Sequence, residues 1–164
     1  MLHTAVSDVS DDVRMDAVLG LAFVLYKTPE RVPQLVKLLL ESFNPPVRYA
    51  SCMAVGIAMA GSGDSKSESL LEPMLDDMTD YVRQGALMGT AMINMQQSDT
   101  CNGKKIRTFR ERLTNIVKGK HQSTLTLTKM GALLSKGIID AGGRNVSVIL
   151  GSRNGFTKMS DKCG

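Results

Sequence analysis

The sequence predicts an all-α protein built from repeated helix pairs, and three observations support this prediction. One segment recurs four times along the chain. Strong helix formers dominate the composition, whereas residues that favour strands are scarce before residue 145. Stretches with a single apolar face lie between the recurring segments, as expected for second helices. Together these features indicate a stack of repeats rather than a globule around one closed core.

The recurring segment opens with a basic residue that usually follows a valine. The four basic residues are Arg14, Arg48, Arg83 and Lys129. They lie 34, 35 and 46 residues apart, a period that is typical of stacked helix-pair repeats. Asp11, Asn44 and Thr79 or Asp80 stand just before these segments, where helix N-caps are expected. We therefore predict four helix-pair repeats over residues 1–141.

Small residues recur at the sixth and eighth positions after the opening basic residue. In chain order these pairs are Gly20 and Ala22, Ala54 and Gly56, Gly89 and Ala91, and Ser135 and Gly137. In a helix of 3.6 residues per turn the two positions lie on different faces. Glycine inside a helix costs about 1 kcal/mol relative to alanine, so close packing must offset it. We expect one face to receive a neighbouring inner helix and the other to receive the outer helix of the same repeat.

The outer helices are predicted at residues 29–40, at 69–75 and around Phe109 and Leu113. The helical pattern stops after Asp140. Residues 146–150 then have the composition of one short strand, within an irregular, strand-like tail at residues 142–164. We expect this tail to lead into a further region of a longer protein, of which the chain would be a piece.

The sequence offers little basis for catalysis or for cofactor binding. Its three cysteines, Cys52, Cys101 and Cys163, have unrelated spacings. The two histidines, His3 and His121, have no partner at metal-ligand spacing. No apolar stretch approaches the roughly 20 residues that span a bilayer. We expect a protein that is not an enzyme, has no cofactor or metal and does not enter a membrane.

Charge is divided unevenly along the chain. Residues 1–100 contain 7 Lys/Arg and 13 Asp/Glu, whereas residues 101–164 contain 13 Lys/Arg and 3 Asp/Glu. This asymmetry predicts different neighbours for the two ends. The candidate partner surface lies in the basic stretch 104–120 and consists of Lys104, Lys105, Arg107, Arg110 and Arg112.

Two interpretations of this basic stretch remain open. It is either an outer helix face that is solvated or meets an acidic protein, or a patch that binds nucleic acid. The absence of interleaved aromatic residues favours the protein interpretation. The basic residues that open the repeats also allow two interpretations. They form either a stripe for an acidic ligand or inter-repeat hydrogen bonds to acids such as Asp12 and Asp80.

Several contiguous strings are similar to one known family. They are residues 10–14, 17–21, 28–33, 47–49, 71–73, 80–86 and 137–146. With the small-residue pattern, these strings resemble the proteasome/cyclosome repeats. That family occurs in scaffold subunits of the proteasome regulatory particle and of the anaphase-promoting complex.

The resemblance implies both a fold and a function. The fold would be an arc of an α-α superhelix closed into a toroid, with two concentric rings of HEAT-like helix pairs. The chain would be a non-enzymatic scaffold in ubiquitin-dependent degradation, present in cytoplasm and nucleus. Its partners would be ATPase and non-ATPase subunits and ubiquitin receptors, with no nucleic acid. Because a cut toroid exposes apolar repeat faces, we expect self-association of the isolated chain as a two-fold dimer.

Overall fold

The structure is a computed structural model of the chain, and it describes residues 8–24, 31–97, 99–119 and 125–141. These residues form seven α-helices and one 3₁₀-helix, and they contain no strand. The α-helices are α1 (Asp11–Val24), α2 (Val32–Leu40), α3 (Pro45–Ala58), α4 (Ser65–Leu71), α5 (Asp80–Ile93), α6 (Asp99–Val117) and α7 (Thr126–Ala141). The 3₁₀-helix, Glu72–Asp76, continues α4 directly. The all-α prediction is confirmed for this part of the chain.

The helices form two layers. Helices α1, α3, α5 and α7 pack side by side in chain order and make the inner layer. The outer layer consists of α2, α4 with its 3₁₀ extension, and α6. Each outer element packs mainly on the inner helix that follows it, so α2 lies on α3, the 3₁₀-helix on α5 and α6 on α7.

The described residues contain three complete helix pairs and the inner helix of a fourth. The predicted boundary at residue 141 remains a prediction, because residues 142–164 lie outside the described part of the chain. The strand predicted at residues 146–150 lies there too.

Local sequence determines where the helices begin. Two prolines, Pro45 and Pro46, occupy the first turn of α3, where their missing N–H groups need no partner. Asp64 caps α4, because its carboxylate accepts a hydrogen bond from the Ser67 backbone N–H at 2.9 Å. The loop before α4 is held against the end of α5. The Gly61 N–H donates to the Met92 carbonyl at 2.8 Å, and Gly61 has a positive φ of 73°.

The backbones of α3 and α5 touch at Gly56 and Gly89. A Cβ atom on Gly56 would lie 2.5 Å from the Gly89 Cα atom. A Cβ atom on Gly89 would lie 2.6 Å from the Cys52 carbonyl oxygen. Both distances are below any normal carbon contact, and the atoms in the way belong to backbone. Alanine at either position would therefore force the two helices apart.

The other small positions also lie between inner helices. Ala22 of α1 and Ala54 of α3 belong to one buried cluster. Ala91 of α5 and Ser135 of α7 are both fully buried. At the α1–α3 and α3–α5 interfaces the eighth position of one repeat thus faces the sixth position of the next. This differs from our expectation that one small face would receive the outer helix of the same repeat.

The two ends of the stack differ from its middle. Gly20 in α1 is half-buried. Gly137 in α7 is exposed, and a Cβ atom built on it meets no heavy atom within 4 Å. Among the described residues, Gly137 is thus the one residue at the eighth position that no neighbouring helix covers.

We predict opposite effects for alanine at Gly89 and at Gly137. Gly89→Ala should lower the free energy of unfolding by about 2 kcal/mol, because α3 and α5 must separate to admit the methyl group. Gly137→Ala, the matched control, should raise it by up to about 1 kcal/mol through helix propensity. Urea denaturation of dilute protein, followed by circular dichroism, measures both. Equal effects of the two substitutions would contradict the proposed contact.

Candidate functional site

A polar network links the N-terminal ends of the inner helices. In α3, the Arg48 guanidinium binds the Asp77 carboxylate through two hydrogen bonds, Nε–Oδ2 at 2.9 Å and Nη2–Oδ1 at 3.1 Å. Its Nη1 atom donates to the carbonyls of Ser42 at 2.8 Å and Phe43 at 3.1 Å. Arg48 therefore ties the segment before its own helix to the segment before α5.

The same arrangement recurs one repeat later. Arg83 of α5 donates from Nη1 to the Asp77 carbonyl at 2.6 Å and from Nε to the Thr128 hydroxyl at 3.0 Å. The Asp80 carboxylate lies 3.4 Å from Arg83. It also accepts hydrogen bonds from the backbone N–H groups of Leu127 at 3.0 Å and Thr128 at 2.9 Å. A side chain of α5 therefore satisfies free N–H groups at the start of α7.

The network extends to α1 in a simpler form. Asp11 lies 3.5 Å from Arg14 and accepts a hydrogen bond from the Asn44 side-chain amide at 2.8 Å. Of the acids expected to take part, Asp80 does so, whereas Arg14 pairs with Asp11 rather than Asp12. Lys129, which opens the fourth copy, is exposed.

These contacts decide between the two interpretations for two of the four repeated basic residues. The guanidinium groups of Arg48 and Arg83 are largely shielded from solvent and bind groups of the adjacent repeat. At these two positions they are therefore inter-repeat ties, as the hydrogen-bonding interpretation predicts, rather than a stripe for an acidic ligand.

The network also holds its carboxylates in the charged form. Burial by itself raises the pKa of Asp77, but hydrogen bonds from Arg48 and Thr79 more than compensate, so the pKa lies below its usual value. At Asp80 burial is likewise outweighed by hydrogen bonds from Thr128 and Leu127, and the pKa is again lowered. Both groups are therefore ionised near neutral pH.

Helix α6 carries the predicted partner surface, but much of its charge is used within the chain. Lys105 lies 3.5 Å from Glu68 of α4, and Arg112 lies 2.6 Å from Asp76 of the 3₁₀-helix. Arg110 forms an ion pair with Asp140 of α7. The remaining two cations, Lys104 and Arg107, are exposed and have no ion pair with another described residue.

The charge asymmetry of the sequence has a use within the chain, because the acidic and basic parts meet at two ion pairs. That the two ends have different neighbours stays a prediction. Lys105 and Arg112 come from the basic part, and their partners Glu68 and Asp76 come from the acidic part. Opposite charges hold α6 against the preceding outer elements.

A groove of about 350 Å³ separates α6 from α4 and the 3₁₀-helix. Its lining includes the apolar side chains of Phe109 and Leu75, and charged side chains such as Lys104 and Glu72. Lys104 thus lines a cleft that also contains apolar side chains, and Arg107 lies three residues further along the same helix. This is a suitable arrangement for a peptide segment that carries both apolar and acidic groups.

Within the described residues, no cluster of three or more His, Cys, Asp or Glu side chains is arranged to hold a metal ion. Cys52 is fully buried, and burial raises the pKa of its thiol to about 12. The thiol is therefore protonated and unreactive at neutral pH. His3, His121 and Cys163 lie outside the described residues, and so does the side chain of Cys101. None of the described helices is long and apolar enough to cross a bilayer.

Sequence reasoning missed the acidic partners that complete these contacts. The repeat pattern does not mark Asp76, Asp77, Glu68 or Asp140 as partners of basic residues in other helices. Asp77 does hold the turn before α5, since it accepts a hydrogen bond from the Thr79 N–H at 2.8 Å. Its second role, binding Arg48, depends on which repeats are neighbours. The excess of opposite charge in the two parts of the chain was an available signal only for Glu68 and Asp76, whose partners lie in the basic part.

We predict that Asp77 matters far more for stability than its neighbour Asp76. Asp77→Asn should lower the free energy of unfolding by about 2 kcal/mol, because it leaves the shielded Arg48 guanidinium without its charged partner. Asp76→Asn, the control, should change it by less than about 0.5 kcal/mol, because Asp76 is 79% exposed. Chemical denaturation at pH 7 distinguishes the two. Equal losses would show that the network is not a stabilising contact.

Stability should also fall in acid through the same carboxylates. The folded pKa values of Asp77 and Asp80 lie below the ordinary value of 3.8. Their stabilisation is therefore complete above that value and is lost as pH falls through the folded pKa values. The free energy of unfolding, measured from pH 7 to pH 3, should decrease less steeply in Asp77→Asn than in the parent. Parallel curves would contradict the lowered pKa of Asp77.

Comparison with known proteins adds an independent result. A sequence model of HEAT repeats matches residues 1–91. Over its whole length the chain is 51% identical to the 26S proteasome non-ATPase regulatory subunit 1 homolog B of Arabidopsis thaliana. It is 47% identical over its whole length to the 26S proteasome non-ATPase regulatory subunit 1 of Drosophila melanogaster. Over 92% of its length it is 41% identical to the 26S proteasome regulatory subunit RPN2 of Saccharomyces cerevisiae.

Each of these alignments covers 16% of the relative. The chain thus spans about one sixth of the length of the curated relatives it matches. The matched HEAT repeats end inside α5, so they include the contact between Gly56 and Gly89.

Proposed function

Because the chain belongs to the HEAT-repeat family, we propose that it is a non-enzymatic binding scaffold and that it acts in the proteasome regulatory particle. The observation that carries this proposal is the inner-layer packing, in which the α3 and α5 backbones touch at Gly56 and Gly89. Such packing gives a stiff stack of repeats, and stiff stacks present extended surfaces to partner proteins. We name the proteasome regulatory particle as the assembly because the similar proteins are named as regulatory subunits of the 26S proteasome.

The chemistry of the described residues supports a structural role. The guanidinium groups of Arg48 and Arg83 are engaged in holding repeats together. The buried thiol of Cys52 is protonated, and its neighbours belong to an apolar core. An enzyme needs a cleft with groups poised to react. In the described groove beside α6, the hydroxyl groups of Ser69, Thr90 and Thr108 each donate instead to a backbone carbonyl four residues earlier in the chain.

We infer further that the four inner helices form part of a closed ring in the longer protein. The partners would be ATPase and non-ATPase subunits and ubiquitin receptors of the regulatory particle. The role would belong to ubiquitin-dependent degradation, in both cytoplasm and nucleus. These statements rest on the similar proteins and on the resemblance to the proteasome/cyclosome repeats.

The outer surface of α6 is the proposed contact site for an acidic protein partner. Lys104 and Arg107 are exposed there, without described ion-pair partners, and Lys104 lines the groove that contains Phe109. The apolar groove can take an apolar side chain, while the two cations attract neighbouring carboxylates. Lys105, Arg110 and Arg112 would act mainly by fixing α6 in place.

The same pairing weakens the alternative that α6 binds nucleic acid. Affinity for a nucleic acid depends on how many phosphates the protein neutralises. Three of the five cations of the candidate surface already have carboxylate partners. A protein partner therefore remains the favoured occupant, and nucleic-acid binding is an outcome that the next experiment can detect.

We predict that reversing both free charges weakens binding to purified proteasome regulatory particle. Lys104→Glu/Arg107→Glu should reduce capture by the immobilised 164-residue chain at least about tenfold. Lys37→Glu, an exposed change on α2, should leave capture unchanged. Biolayer interferometry gives the affinities, and circular dichroism confirms that each variant folds.

Two results would contradict the proposal. One is a parent chain that binds no regulatory-particle component, and the other is a double variant that binds as well as the parent. A salt-dependent shift of duplex DNA or RNA at micromolar protein, lost in the double variant, would favour the nucleic-acid alternative instead.

A further inference from the structure

One position of the repeat displays a large apolar side chain to solvent in three successive repeats. It is the fifth residue before the opening basic residue, in the turn that leads into each inner helix. Val9, Phe43 and Met78 occupy this position and are 100%, 99% and 96% exposed. We call these three residues the apolar row. Among the other large apolar side chains in the described part of the chain, the most exposed is Leu38, at 78%.

The polar network holds the backbone of the apolar row in place. Nη1 of Arg48 donates to the Phe43 carbonyl at 3.1 Å, and Nη1 of Arg83 donates to the Met78 carbonyl at 3.4 Å. In both repeats the same nitrogen also binds the carbonyl one residue earlier, at 2.8 Å and 2.6 Å. Two successive turns are therefore tied by the same contacts while their apolar side chains stay in solvent. This repetition distinguishes the row from isolated apolar residues on a surface.

Further repeats would lengthen the apolar row and would not cover it. Inner helices pack on one another through their sides, as at Gly56 and Gly89, and the outer elements pack on the outer side of the inner layer. The row lies instead at the N-terminal edge of the inner helices, in the turns that precede them. A closed ring of such repeats would therefore leave this edge free of repeat contacts.

The surroundings of the apolar row are acidic. Seven acids and three arginines lie in the stretches 8–14, 41–48 and 76–83. Each of the three arginines is already paired with a carboxylate at this edge. Asp12 and Glu41 are exposed and have no ion pair with another described residue. Arg112 reaches the edge from α6 and pairs with Asp76, and Lys129 opens the fourth copy, beyond the row.

We propose that the apolar row binds a basic amphipathic helix of another protein. Apolar side chains of that helix would cover Val9, Phe43 and Met78, and its Lys or Arg side chains would meet carboxylates such as those of Asp12 and Glu41.

The spacing of the row suits a helix. Packed helices lie about 8–10 Å apart, so successive members of the row should be separated by a similar distance. Residues seven apart on a helix share a face and are separated by about 10.5 Å. One apolar side chain in every seven could therefore contact each member of the row in turn. The site differs from the α6 groove in position and in charge, because the groove is proposed to take an acidic partner.

A model peptide of this chemistry tests the proposal on the full 164-residue chain. The probe is a fluorescently labelled, alanine-based helix of about 18 residues, with leucine at every seventh position and lysines flanking each leucine on the same face. Its fluorescence anisotropy should rise as the parent chain is added. The same peptide with glutamate in place of every lysine should not bind, because its charge repels the acidic edge.

Two variants test whether the apolar row is the binding site. Phe43→Ala/Met78→Ala should weaken the affinity for the lysine peptide at least about tenfold, because two apolar contacts are lost. Leu38→Ala is the control, since Leu38 is exposed on the outer helix α2, away from the row, and it should bind the peptide as the parent does. All three side chains are exposed, so both variants should keep the parent's circular dichroism spectrum.

A further pair of variants tests the charge and separates this surface from the α6 groove. Asp12→Asn/Glu41→Gln should weaken binding of the lysine peptide about threefold and reduce its dependence on salt. Lys104→Glu/Arg107→Glu should not weaken it, because both residues lie on α6. The outcome for the lysine peptide is therefore independent of the role proposed for α6.

Four results would overturn the proposal. The first is a parent chain that does not bind the lysine peptide at chain concentrations up to about 100 μM. The second is equal affinity in Phe43→Ala/Met78→Ala, and the third is equally tight binding of the glutamate peptide. The fourth is a parent that light scattering shows to be dimeric and that this double variant makes monomeric, which would assign the row to a second copy of the chain.

Discussion

The close contact between the α3 and α5 backbones is the constraint on which the rest of the structure depends. With a Cβ position on Gly56 only 2.5 Å from the Gly89 Cα atom, only hydrogen side chains fit at both positions. This contact fixes the separation and the register of two successive inner helices. It also brings the N-terminal ends of the helices level with one another, so that Arg48 reaches Asp77. The packing and the polar network are therefore consequences of one geometry.

That geometry also determines how the chain uses its charges. Stacked inner helices place outer elements side by side, and opposite charges then meet across them, as Lys105 meets Glu68 and Arg112 meets Asp76. Most charged groups described at the repeat junctions serve the fold. Among the charged groups left exposed for a partner are Lys104, which lines the groove, and Arg107 on the same helix. The proposed scaffold role is consistent with this use of charge within the fold.

The inner helices and their small positions could be predicted from the sequence, because a repeat period and helical geometry are both local properties. The sequence could not predict which helices lie against those small positions. The helical angle shows that Ala54 and Gly56 lie on different faces, but it does not show which helix covers each face. The same limit applies to Asp77, whose capping role is local whereas its pairing with Arg48 spans two repeats.

The central claim is that the inner helices touch through their backbones at Gly56 and Gly89. Nuclear Overhauser spectroscopy of the labelled 164-residue chain tests it most directly, since a cross-peak between two α-protons requires them to be close in space. The account predicts a strong cross-peak between the α-protons of Gly56 and those of Gly89. A well-resolved spectrum in which both glycines are assigned and this cross-peak is absent would contradict it.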